Sequence, residues 1–172
     1  WEDGALSTAG EEILARAAVR RLVQAEALWG MADPAGFPRD RVEEAWRQVL
    51  LWHEHTWGAA ASISEPDRPD VVAQWEYKRA FAVEADRLSR ELFDEAARRK
   101  APPALLGVAI ANTLGHPRGG LVALPAGRSR AGERVTDSAG RVLPSQRLVG
   151  GVLAVSVPEV RQLGLAMLTV TA

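Results

Sequence analysis

Between Leu50 and Ala59 the chain reads LLWHEHTWGA, which sets His53, Glu54 and His55 side by side between Trp52 and Trp57. Imidazole nitrogens are common ligands for zinc, a carboxylate can ligate or move a proton, and an indole offers a flat apolar face on which a sugar can stack. Metal-assisted or acid/base chemistry is therefore the chemistry to look for. The spacing is not that of the HExxH metalloproteases, which need their histidines one helical turn apart. On a continuing helix, residues two apart differ by about 200°, so His53 and His55 could share one metal only if the helix ends between them. Each residue also has a plainer reading. A histidine at a helix end can bond a backbone carbonyl, Glu54 can be a solvated end charge, and Trp52 and Trp57 can be core.

No other stretch competes. His116 is the third and last histidine. Gly119-Gly120 and Gly150-Gly151 lack the spacing of a phosphate loop, and the second pair reads as a strand bend. Ser145 has no His or Asp close in sequence and reads as a turn serine. Arg98-Arg99-Lys100 closes a helix, where cations suit the negative end of the dipole.

These groups sit in a chain of 172 residues, 47% hydrophobic and 25% charged, long enough for one good core or two small ones. Its net charge of -1 supplies no basic field, arguing against a nucleic-acid partner, and no apolar run approaches the ~20 residues of a membrane span. The absence of cysteine excludes disulfides and thiolate zinc sites. A start at Trp1-Glu2-Asp3, with neither initiator Met nor signal sequence, suggests a piece cut from a larger protein.

The elements that must position the HEH stretch are helices. Thr8 followed by Glu11 matches a capping box, and Leu14, Ala18, Leu22, Ala25 and Trp29 form a stripe, predicting a helix from about 9 to 30. After the turn at Asp33, Pro34, Gly36 and Pro38, a second helix runs from about Asp40 into HEH. Val42, Ala45, Trp46 and Val49 lie on one side of it, and His53 falls next on that side. A third, the longest, follows Pro66–Pro69, with Val72, Trp75, Arg79, Ala82, Leu88, Leu92 and Ala96 recurring up to Lys100. Three such helices suit an antiparallel bundle.

At Ala101-Pro102-Pro103 the composition changes to short Val/Leu/Ala runs broken by Gly, Pro, Asp and Ser. Leu106–Ala111, Gly120–Leu124, Arg134–Thr136, Arg141–Leu143, Gly151–Val155 and Ala166–Thr171 are the expected strands, with a hairpin turn at Asp137–Gly140. The expected fold is thus α+β: a three-helix antiparallel bundle over 1–101, then an antiparallel β segment over 102–172, the start of a sandwich.

Helical bundle, HEHTWG and β region, in that order, resemble the middle of family 38 glycoside hydrolases, the zinc-dependent α-mannosidases. The family's three-helix domain carries an HD-type motif four residues before a Gly; aligned on Gly58, the zinc histidine falls on His53 and the acid on Glu54. A bacterial branch resembles EHTWGA, matched by Glu54 to Ala59. Further matches are Asn112, Pro117-Arg118 and Leu121 to Pro125; Asp137, Gly140 and Pro144-Ser145-Gln146; Val157-Pro158 and Leu163-Gly164. The family has Asp where Glu54 stands, and its EHTWGA branch often lacks a histidine at the place of His53, so His53 and His55 both remain candidate ligands, with His53 favoured by register.

The resemblance implies a retaining α-mannosidase acting on α-mannosides, with Glu54 and Trp57 at the sugar and no catalytic nucleophile in this stretch. It also implies zinc in the full-length enzyme, weak or absent in the fragment, and a cytoplasmic bacterial location. An N-terminal α/β barrel bringing the nucleophilic Asp and the other zinc ligands, and a C-terminal β domain, would belong to the same chain. Two other readings stand beside it: a non-catalytic carbohydrate-binding or interaction module with Trp52 and Trp57 as platform, and a self-contained metalloprotein using His53, His55 and a carboxylate.

Overall fold

In a computed structural model, which describes residues 8–54, 58, 60–100, 107–130 and 132–172, the chain divides into two compact units, Trp1–Lys100 and Ala101–Ala172. The first is helical and the second is built of strands, an α+β organisation with two antiparallel sheets.

Three helices, α1 (Ala9–Ala32), α2 (Arg39–His53) and α3 (Pro69–Lys100), form the first unit. Cross-helix pairs give their directions. Glu12 meets Trp52 and Glu26 meets Trp46, so α2 runs back along α1; Arg41 meets Glu95 and Glu54 meets Lys78, so α3 reverses again. The core is a stripe from each helix: Ala18, Leu22 and Ala25 of α1, Val42, Ala45 and Val49 of α2, Ala85, Leu88 and Leu92 of α3. Small alanines at these positions let the helix axes approach, and each Leu or Val removes apolar surface from water at about 25 cal/mol per Å².

Three details differ from the expected pattern. Thr8 is the N-cap of α1 but makes no side-chain cap bond; Glu11 instead reaches Arg79 on α3, at 3.1 Å. On α3 the buried face runs through Val71, Lys78, Ala82, Ala85, Ser89, Leu92 and Ala96, so it starts at Val71 rather than Val72 and passes through Lys78 rather than Arg79. On α2 the buried stripe continues from Val49 to Trp52, leaving His53 on the exposed side.

The second unit holds β1 (Val108–Ala111), β2 (Arg118–Leu124), β3 (Arg134–Asp137), β4 (Val142–Leu143), β5 (Ser145–Arg147), β6 (Leu153–Val160) and β7 (Leu165–Thr171). One sheet has the order β1-β7-β3-β4, the other β2-β6-β5, and all pairings are antiparallel. Leu124, Leu153, Val155 and Val157 from one sheet and Val135, Leu143 and Leu168 from the other share one buried cluster, as facing sheets of a sandwich do. The turn at Asp137 forms as its sequence demands, with Oδ1 accepting from the backbone N–H of Ala139 and Arg141 at 2.9 Å each. Ser145 is not in a turn but opens β5, and Gly150-Gly151 is not a strand bend. At φ of +86° and +83° the two glycines occupy left-handed backbone and turn the chain between β5 and β6.

Candidate functional site

α2 ends at His53, and Glu54 behind it is already extended at φ -68°, ψ 136°. The helix therefore closes between positions 53 and 55, which is what a shared use of both histidines would require. His55, Thr56 and Trp57 lie outside the described residues.

Of the residues that are described, Trp52 is buried in the bundle against Ala15, Ala82 and Phe81, so it is core and not a platform. Its indole Nε1 donates to Glu12 Oε2 at 3.2 Å. His53 keeps 39% of its side chain exposed, and its Nδ1 lies 3.9 Å from the same Glu12 oxygen. Glu54 accepts from Lys78 Nζ at 2.5 Å; the carboxylate is 54% exposed while the lysine is only 11% exposed. Lys78 thus buries its stem in the bundle and delivers its ammonium to the residue after the helix.

Glu12 is the hinge of this end of the bundle. Its Oε1 accepts from Arg16 Nε at 2.6 Å, one turn along α1, while Oε2 faces Trp52 and His53 on α2. The Arg16 hydrogen bond holds its carboxyl below the usual range; burial opposes this, and the Trp52 indole and the charges of His53 and Arg16 add to it. The carboxylate is therefore ionised near neutrality. Chemically, the arrangement offers one accessible imidazole backed by a fixed anion, and one exposed carboxylate held by a buried ammonium. That can supply a single metal ligand and a hydrogen-bonding carboxylate. Among the described residues no three His, Asp or Glu side chains converge to hold a metal by themselves.

Neither Glu12 nor Lys78 stood out in the sequence. Glu12 reads as an ordinary first-turn acid, and its partner is 40 residues away. Lys78 did leave a trace, as the charged interruption of an otherwise apolar heptad at Val71, Ala85 and Leu92.

The β unit's landmark residues serve its own architecture. Asn112 is buried; its Nδ2 donates to the carbonyls of His116, Val160 and Arg161, and its Oδ1 accepts from Leu114 N at 3.0 Å, fixing the loop after β1. Next to Gln146 in β5, Arg147 uses all five of its N–H groups. They go to Glu133 Oε1, Ser129 Oγ and the carbonyls of Ser129, Gly132 and Gly151, at 2.6 to 3.2 Å.

No family model and no curated protein matches the chain. Among solved structures it is similar to an alpha-mannosidase from Enterococcus faecalis V583, with a TM-score of 0.55 and 18% sequence identity. The match covers 92% of this chain and 24% of that one, so the chain spans about a quarter of that protein's length. At such identity the likeness is one of fold. Among the described residues no helix is long and apolar enough to cross a membrane.

Proposed function

We propose that the chain is the middle part of a retaining, family 38-like α-mannosidase, in which the end of α2 supplies one zinc ligand, His53, and Glu54 and Trp57 face the sugar. What carries the reading is the open imidazole of His53 at the close of α2, backed by Glu12, on a fold similar to that of an alpha-mannosidase. His53 fits zinc as one nitrogen donor among several, the others coming from polypeptide outside this stretch. When bound, zinc would clamp sugar hydroxyls and offset charge in the distorted ring. Glu54, held in place by Lys78, would accept a hydrogen bond from a sugar hydroxyl. The attacking and protonating carboxylates, about 5 to 5.5 Å apart in a retaining site, belong to the same outside polypeptide. The location consistent with this reading is the bacterial cytoplasm, and the substrate class is α-mannosides.

The test is His53→Ala and, separately, His55→Ala in the full-length protein, with bound zinc measured by mass spectrometry and turnover on an aryl α-mannoside. His53→Ala should drop zinc from ~1 equivalent to near none and abolish turnover, because a lost ligand is rarely tolerated. Full metal content and turnover in that variant, with both lost in His55→Ala, would move the ligand to His55. Retention in both would end the zinc reading.

A further inference from the structure

We infer that Glu12 is the positioning residue for His53: its carboxylate holds the proton on Nδ1 and so leaves the Nε2 lone pair free to take zinc. The inference rests on the reading above but stands on geometry of its own. A neutral imidazole has one N–H and one lone pair, and the partner of one nitrogen decides which atom remains a ligand. Histidines that ligate metals almost always give their other N–H to a carboxylate, a carbonyl or water.

Glu12 has the properties such a partner needs. It is only 17% exposed and is held from two helices, Oε1 by Arg16 of its own helix and Oε2 by the indole of Trp52 on α2. Arg16 is 67% exposed, so solvent screens its charge and much of the carboxylate's negative field persists toward His53. A carboxylate oxygen has two lone pairs, and Oε2 can serve the indole and the imidazole together. From 3.9 Å, a turn of the ring moving Nδ1 by roughly 1 Å brings it within hydrogen-bond reach. Trp52 and His53 point about 100° apart on α2, yet one Glu12 oxygen lies 3.2 Å from the indole nitrogen and 3.9 Å from Nδ1. The packing of α2 on α1 and the aim of the ligand are one arrangement.

Long-range proton–nitrogen correlation spectra of the 172-residue chain, labelled at histidine and taken at alkaline pH, read the tautomer directly. In the unmodified chain His53 should carry its proton on Nδ1, with Nε2 unprotonated. Glu12→Gln should retain part of that preference, and Glu12→Ala should shift the proton to Nε2. A proton on Nε2 in the unmodified chain overturns the inference without any variant, and so does an Nδ1 preference that Glu12→Gln and Glu12→Ala leave unchanged. In the full-length protein, chelator competition should show zinc bound roughly 10- to 100-fold more weakly by Glu12→Gln. Failure of the two ideas looks different. If His53→Ala keeps its zinc while the tautomer still depends on Glu12, the mannosidase reading falls and the positioning role stands. If His53→Ala loses zinc but the tautomer ignores Glu12, the reverse holds.

Discussion

Arg21 in the helical unit and Arg147 in the β unit are both part-buried arginines, but their partners differ in kind. Arg21 of α1 crosses to α3, where it meets the Asp86 carboxylate at 2.6 Å and Ser89 Oγ at 2.5 Å, with one weaker bond to the Asp86 carbonyl. Three of the five bonds from Arg147 go to main-chain carbonyls. The same contrast runs through each unit. Arg41–Glu95, Arg99–Asp33, Arg79–Glu11 and Lys78–Glu54 tie helix to helix or to its flanking residues, side chain to side chain. Asn112 and Ser145 of the β unit bond backbone, and Asp137 does so beside a local ion pair with Arg141.

Helices satisfy their own backbones internally, so their polar side chains are free to recognise other side chains and to set which helix faces which. Short strands and the turns that join them leave carbonyls and amides unpaired, and polar side chains are drawn to them. The lesson for function is that the helical unit is where charge is arranged between elements, and the candidate site grows out of that same habit.

The sharpest way to break the comparison is Arg147→Met. If the guanidinium holds the β unit by satisfying buried carbonyls, removing it should cost about 3 to 5 kcal/mol, read as loss of hydrogen-exchange protection in β5 and β6 with the helices untouched. A small effect would make the arginine an ornament and the contrast superficial. Asp86→Asn should do less, about 1 to 3 kcal/mol in denaturant unfolding followed by helical circular dichroism, since a neutral amide still accepts from Arg21.

The Asp86 carboxyl is also held below its usual range: burial pushes the other way, but the Arg90 and Arg21 hydrogen bonds prevail. A depressed carboxylate stabilises the fold above its unfolded value of 3.8 and loses that contribution as pH falls through the lower folded value. Stability of the helical unit should therefore fall below about pH 4, and Asp86→Asn should flatten that decline. Smallest of all is Arg87→Gln. Its partners Glu84 and Glu91 lie on its own exposed helix face, so the unfolding midpoint should not move.

Legibility followed the same divide. The helices could be placed because apolar residues recur with a helical period and Pro34, Pro38, Pro66 and Pro69 punctuate them. On α3 the expected stripe holds at Ala82, Leu88, Leu92 and Ala96 but is one residue late at Val72 and Arg79, because Lys78, like Ser89, occupies a core position that only tertiary partners make tolerable: Glu54 for the lysine, Arg21 and the Asp86 carbonyl for the serine. β5 escaped notice because Ser145-Gln146-Arg147 has no apolar alternation, and β6 runs on to Val160, past the expected end at Val155 and through Pro158. The capping box failed for a similar reason, a cross-helix arginine outcompeting the local cap. At the candidate site the histidines were visible as residue types. The anion behind His53 was not, since nothing near Glu12 in sequence announces a partner 40 residues on.

The bond between the Trp52 indole and Glu12 gives this end of the bundle a built-in optical reporter. If the proposed zinc sat on the neighbouring imidazole it would draw on the same carboxylate, and the hydrogen bond from the indole, with its emission, would respond. Of the chain's 6 tryptophans, Trp52 shares its carboxylate with the proposed ligand, so the part of the emission that zinc changed would report occupancy with no label attached.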